Sequence, residues 1–159
     1  MLTVYRTVKA KYVDEPLATE GARLFGSRWN LKGYPLLYAT SSPALALLES
    51  LVHQPRATFG KLLKLFLFTL EIPGESTPET ITTGAADQLP DYWNNESYER
   101  TQWLLRDWLN NPRTLVAAVP SVVVPMSYNC LIHPAHPGFE QIQVVKRETF
   151  PIEKRLWVV

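Results

Sequence analysis

PLLYATSSPALALLESLVH, residues 35–53, changes its period midway, and that change decides the fold class. Pro35–Thr40 is a short apolar run of strand length. Ser41-Ser42-Pro43 then opens a helix: Ser42 is a good N-cap, and Pro43 suits the first helical position, where its missing N–H costs nothing. Apolar residues follow at 44, 45, 47, 48, 51 and 52, the spacing of an amphipathic helix. Gln54-Pro55 ends it, because proline disfavours helix in the residue before it. Outward from this strand–helix unit, Leu2–Val8 reads as a strand and residues 9–26 as irregular. Leu62–Ile72, apolar on both alternating faces, predicts a strand buried on two sides. Residues 73–95 carry Pro73, Gly74, Pro78, Gly84 and Pro90 and read as a long loop. Glu96–Asn110 predicts a second helix with Tyr98, Leu105, Trp108 and Leu109 on one face, stopped by Asn111-Pro112. Thr114–Val119, Val122–Pro125, Tyr128–Ile132 and Gln141–Arg147 are further strand candidates. Strands at both ends with helices between them imply an α+β fold, a mixed or antiparallel β-sheet core with flanking helices. The expected organisation is a single domain over residues 1–159.

Composition narrows the function classes. Of 159 residues, 46% are hydrophobic and 19% charged, which is globular. A formal net charge of +1 and the absence of a basic stripe argue against nucleic acid as a direct partner. Cys130 is the only cysteine, so no internal disulfide is possible and nothing points to secretion. MLTVYRTVKAKYVDE has no apolar signal-peptide core, and the apolar stretches 62–72 and 114–126 are too short or Pro-broken to cross a bilayer. The expectation is a cytoplasmic protein with no membrane partner.

Several polar groups sit where they are expensive. Glu49 lies beside Leu45 and Val52 at the edge of the helix's apolar stripe, where a carboxylate is either a surface group or half-buried toward a cleft. Arg28, in GSRWN, is a turn arginine, either solvated or a phosphate fork. Arg6 shares a strand face with Val4 and Val8 and therefore wants an ion partner or an anionic ligand. Tyr38 is either a core tyrosine with a tethered hydroxyl or a stacking platform. Ser121 is flanked by Pro120 and lacks the G-x-S-x-G setting of a nucleophilic serine. His133 and His136 have no third ligand nearby, so no metal is expected. There is no Walker A loop and no G-x-G-x-x-G. Together, two arginines, an aromatic and a carboxylate suit a ligand with a diphosphate, a flat base and a glycosidic bond.

GARLFGSRWNLKGYPLLYATSSPALALLESLVH (21–53), with VYR ahead of it and VPSVVVPMSYNCLIHPAHPGF behind, resembles the RES-domain family. Its naming arginine, glutamate and serine match Arg28, Glu49 and Ser121. The resemblance implies a fold similar to the ADP-ribosyltransferase toxins. It implies a cytoplasmic bacterial toxin partnered by an Xre-type helix-turn-helix antitoxin and forming homodimers. It implies action on NAD⁺ as substrate at the nicotinamide–ribose bond, by hydrolysis or phosphorolysis, or by ADP-ribosyl transfer to a protein. The pocket residues that carry over are Arg6, Arg28, Tyr38, Glu49 and Ser121, with Glu49, Arg28 and Ser121 catalytic. Two local departures stand out: Gly26-Ser27 where the family usually has two glycines, and His133 where it often has Asn. Rival expectations are a non-catalytic nucleotide-binding module and an RNA-degrading toxin. Trp93, Trp103 and Trp157 are candidate interface anchors.

Overall fold

The computed structural model describes residues 1–53, 64–74, 79–80 and 97–157. Within it, Ser42 starts the helix as its chemistry requires: its Oγ accepts the Leu45 N–H at 3.2 Å, and Pro43 takes the first turn. In chain order the elements are β1 (Leu2–Lys9), α1 (Glu20–Phe25), β2 (Leu37–Thr40), α2 (Pro43–Val52), β3 (Leu65–Ile72), β4 (Glu79–Thr80), α3 (Glu99–Asn110), β5 (Val116–Pro120), β6 (Tyr128–Ile132) and β7 (Gln143–Phe150). Short 3₁₀ turns lie at Ala10–Tyr12, Pro137–Gln141 and Lys154–Trp157.

The strands form one sheet in the order β4-β5-β6-β2-β1-β3-β7. Every pairing is antiparallel except β4 with β5. The expected α+β architecture, a mixed and largely antiparallel sheet with flanking helices, is therefore what the chain adopts. The sheet is unevenly stitched. β1 pairs with β3 along its whole length, from Leu2 opposite Ile72 to Lys9 opposite Leu65. β2 likewise pairs with β6 from Leu37 opposite Ile132 to Thr40 opposite Asn129. Between these halves, β1 meets β2 only at Tyr5 opposite Thr40.

Alternation along the strands puts a hydrophobic cluster on each face. On one face Val4, Val8, Leu37, Phe68, Leu70 and Ile132 pack together. On the other, α3 lays Leu105, Trp108 and Leu109 against Trp29, Leu36 and Leu131. Each such side chain, fully buried, contributes about 1.5–3 kcal/mol. α2 covers the same face as α3 at the β1–β2 junction, where the Thr7 hydroxyl pairs with the Ser50 hydroxyl. The space between α2 and the turn ahead of β2 is left open.

Three sequence expectations are corrected. Residues 9–26 are not irregular throughout, since they contain α1. α1 buries no residue, so it has no apolar period to read. Val122–Pro125 is not a strand. The Ser121 hydroxyl accepts the N–H groups of Val123 (3.1 Å) and Val124 (3.0 Å), so a local turn outcompetes the ladder. Tyr98 is 38% exposed rather than part of the buried stripe of α3. The ends expected at Gln54-Pro55, Leu62 and Glu96, and most of the loop at 73–95, fall outside the described residues. Among those described, no helix is long and apolar enough to cross a membrane.

Candidate functional site

α2 projects Glu49 toward the end of β5 and the start of β6. Its carboxylate is fixed on one side: Oε1 accepts from Ser121 Oγ at 2.8 Å and from Asn129 Nδ2 at 2.7 Å. Oε2 lies 3.6 Å from Nε2 of His53, one helical turn on. The Glu49 side chain keeps 18% of its exposure, through a cavity of about 350 Å³ that it lines. That is the low end of small-molecule sites, roughly 300–1,000 Å³. Burial pushes the Glu49 carboxyl up, and this is the largest single effect. The neighbouring His53 imidazole and the Asn129 and Ser121 donors together outweigh it, so the net shift is downward and the group is ionised at neutral pH.

Ser121 is wholly buried and fully committed. Two backbone amides occupy its lone pairs and its proton goes to Glu49. A hydroxyl so placed orients a carboxylate and has no free lone pair with which to attack.

Arg6 reaches the cavity at the β1–β2 seam. The pairing that would occupy the Tyr38 carbonyl is missing there, and Arg6 Nη1 donates to it at 2.7 Å. Nη2 donates to the Ala18 carbonyl at 3.2 Å, while Nε is buried with no hydrogen-bond partner among the described residues. Burial lowers this guanidinium to about 10, which leaves it a cation at neutral pH. Among the described residues no carboxylate pairs with it. The ion partner expected from its strand position is replaced by backbone carbonyls.

Tyr38 lines the same cavity. Its hydroxyl donates to Asn30 Oδ1 at 2.7 Å, and burial raises its pKa, so the phenol stays protonated. Asn30 is itself buried, and its Nδ2 donates to the carbonyls of Ala22, Leu31 and Tyr34. This one side chain ties α1, the following turn and Tyr38 together.

Arg28 sits at the tip of a tight turn closed by Ser27 and Asn30, whose backbones pair at 2.9 and 3.3 Å. Gly26 enters the turn at φ 66°, and a Cβ there would stand 3.1 Å from Asn30 O and Lys32 N. α3 clamps the turn: Gln102 Nε2 donates to Ser27 O at 2.7 Å, and Thr101 Oγ1 to Arg28 O at 2.5 Å. Ser27 lines the cavity, whereas the Arg28 guanidinium lies over the Tyr98 ring, 4.5 Å from its centroid. The structure thus brings Arg6, Tyr38 and Glu49 to one cavity, with Ser121 behind Glu49. Arg28 stands beside it.

His53 and Asn129 were not singled out from the sequence. His53 had a signal, the i, i+4 spacing from Glu49 on a helix. Asn129 had none, because β6 reaches Glu49 only through long-range folding.

His133 and His136 lie apart from the cavity. The Nδ1 of each accepts a nearby backbone N–H, from Ala135 and Gly138 respectively. His133 Nε2 is thereby left to donate to Leu109 O at 3.0 Å, with its ring edge-on to Trp108. Among the described residues no group of three or more His, Cys, Asp or Glu side chains is placed to hold a metal. Trp29 and Trp108 are core, Trp103 is 71% exposed on α3, and Trp93 and the Trp157 side chain lie outside the described residues.

A cavity at the seam of a split sheet, lined by the tethered Glu49 carboxylate and by Arg6, is the candidate small-ligand site of this α+β protein. The chain belongs to the RES domain family, whose profile matches residues 3–153. It is 36% identical over 148 residues to the "Prs ADP-ribosylating toxin" of Sphingobium sp. (strain YBL2), covering 91% of this chain and 89% of that one. It is 33% identical over 158 residues to the "Toxin Res" of Photorhabdus laumondii, covering 98% and 97%. Its fold matches a chain of the M. tuberculosis MbcT–MbcA toxin–antitoxin complex with a TM-score of 0.72 at 18% identity, over 98% of this chain and 86% of that one.

Proposed function

We propose that this protein is the toxin of a bacterial toxin–antitoxin pair, acting in the cytoplasm by breaking the nicotinamide–ribose bond of NAD⁺. The observation that carries the proposal is Glu49. It is an ionised carboxylate, held on one oxygen and open on the other, in a cavity shared with the Arg6 cation. Toxin names among relatives that span nearly the whole chain support it.

The bond breaks through an oxocarbenium-like ribose. Nicotinamide leaves as a neutral molecule from a cationic ring, so departure needs no general acid. The protein's tasks are to hold the diphosphate, orient the ribose and stabilise positive charge. Arg6 and Arg28 bind the diphosphate, Arg28 leaving the Tyr98 ring to do so. Tyr38 lines the nicotinamide. Glu49 hydrogen-bonds the ribose and stabilises the cation through the field of a pre-oriented carboxylate. Ser121 keeps Glu49 in place. No metal takes part in this scheme.

Proton and phosphorus NMR of purified protein with NAD⁺, with and without phosphate, tests it. Nicotinamide release that drops about 10²–10³-fold in Glu49→Gln is the expected result. ADP-ribose as co-product assigns water as acceptor. A phosphorylated ADP-ribose formed only with phosphate assigns phosphorolysis. No nicotinamide release under either condition overturns the proposal. The second reading is ADP-ribosyl transfer to a protein, favoured by the name of the Sphingobium relative. The same residues serve it, since only the nucleophile that reaches the cation differs. An Xre-type antitoxin and a homodimer are the proposed assembly, to be checked by co-purification and light scattering.

A further inference from the structure

Asn129 lines the cavity from β6, fixed by backbone pairing on both sides, to Thr40 and to Val119. Its amide can face Glu49 one way only. Nδ2 donates to Oε1 at 2.7 Å, whereas the flipped amide would set an oxygen against a carboxylate oxygen. This orientation leaves Oδ1 buried with no hydrogen-bond partner among the described residues. An unmade hydrogen bond on a buried acceptor is destabilising. The chain keeps it at a position that a small apolar residue would fill without that cost. A purely structural Asn would satisfy both ends of its amide, and this one satisfies only the end that touches Glu49.

We propose that Asn129 is the positioning residue of the site. With Ser121 it immobilises Oε1 of Glu49, so that Oε2 alone is presented to the ligand. The two donors converge on the same oxygen from β6 and from the end of β5, elements that meet Glu49 from the sheet side. Among the described residues Oε2 has only the His53 imidazole beside it, with Nε2 at 3.6 Å, beyond hydrogen-bond distance. The carboxylate therefore cannot rotate to exchange its oxygens without breaking two charge-assisted bonds. The cavity meets one defined lone-pair set. The ligand half of this inference rests on the NAD⁺ reading above, but the geometric half does not.

Asn129→Ala and the isosteric Asn129→Asp test it, each checked for folding by near-ultraviolet circular dichroism. The groups facing Glu49 besides Asn129 and Ser121 are His53 on its own helix and, around the cavity, Arg6, Lys9, Tyr5 and Tyr38. All of them are unchanged in both variants. With NAD⁺ as probe, Asn129→Ala is expected to lower kcat about 10- to 100-fold, the worth of one charge-assisted bond, with KM within a fewfold of wild type. In Asn129→Asp two carboxyls stand at hydrogen-bond distance and share one proton until the pH rises well above the ordinary carboxyl range. Its activity should fall at a higher pH than that of wild type on the acid side and recover as pH rises. The carboxyl carbon of Glu49, followed by ¹³C NMR and assigned with Glu49→Gln, should titrate higher in both variants. A kcat for Asn129→Ala within twofold of wild type overturns the proposal, as does a Glu49 titration that superimposes on wild type in Asn129→Asp. The titration is read without substrate. If wild-type protein leaves NAD⁺ intact, the titration still decides the role of Asn129, and only the NAD⁺ reading fails.

Discussion

The Ser121 hydroxyl stands 2.8 Å from Oε1 of Glu49, across 72 residues of chain, and it is the buried hydroxyl that donates the hydrogen bond. The same oxygen accepts the amides of Val123 and Val124, so one atom shapes a turn and aims a carboxylate. Ser121→Ala removes both functions. Two amides lose their acceptor, which costs about 1–3 kcal/mol of stability. Turnover should fall about 10- to 100-fold from the lost bond to Glu49. Thermal melts and nicotinamide release measure the two losses. Intact mass of wild-type protein quenched during turnover should show no adduct on Ser121, and a covalent sugar there would contradict the assignment.

Glu49 titrates below its ordinary value of 4.5 in the folded chain. A carboxyl with a depressed pKa contributes stability that is complete above its unfolded value and is lost as pH falls through the folded one. Glu49→Gln should therefore lose stability relative to wild type at neutral pH, with the gap closing below about pH 4.5. Urea melts across this range read the gap directly. The wild-type rate should show no acid limb from Glu49 above pH 5.

How much of this was visible beforehand follows the physics of each residue. Ser42, Pro43 and the apolar period of α2 are local signals, and they placed Glu49 at the edge of a buried stripe. The parity of β1 set Arg6 with Val4 and Val8 in the same way. The carbonyl partners of Arg6 could not be read, because they exist only where β1 parts from β2, a feature of sheet twist and pairing with no signature in either strand. Ser121 lacks the sequence setting of a nucleophilic serine, and its committed lone pairs agree with that reading. The turn it organises reads as a strand in the sequence, since Val122–Val124 has β-propensity and the competing hydroxyl is a single atom. Asn129 lies in YNCLI, where one polar residue in five carries no message until Glu49 arrives from α2.

Gly26 holds a positive φ of 66° with no room for a side chain. Gly26→Ala should destabilise the protein by at least about 1 kcal/mol. Because the turn it opens carries Arg28 and Ser27, KM for NAD⁺ should rise more than kcat falls. Differential scanning calorimetry and steady-state kinetics separate the two effects.

His133 governs a different pH window. Burial, the largest effect, holds its ring below the ordinary 6.5, against the pull of the Leu109 carbonyl and with help from His136. The unfolded chain takes up this proton first, so stability is complete above pH 6.5 and is lost as pH falls from there. His133→Gln, with an amide to reach Leu109, should flatten the stability profile as pH falls below 6.5 while leaving the Glu49 window untouched. Chemical denaturation at half-unit pH steps resolves the two.

The meeting of β1 and β2 at Tyr5 and Thr40 alone gives the molecule a grain, like wood. Each half-sheet is cross-braced by full ladders, and resistance to shear ends where the halves touch. Solvent hydrogen should enter there first, at the backbone amides of β1 and β2 that face the seam, while β3 and β6 stay sealed. Whatever lodges in the seam becomes a wedge glued to both boards, and the exchange map of the loaded protein would then read as one plank.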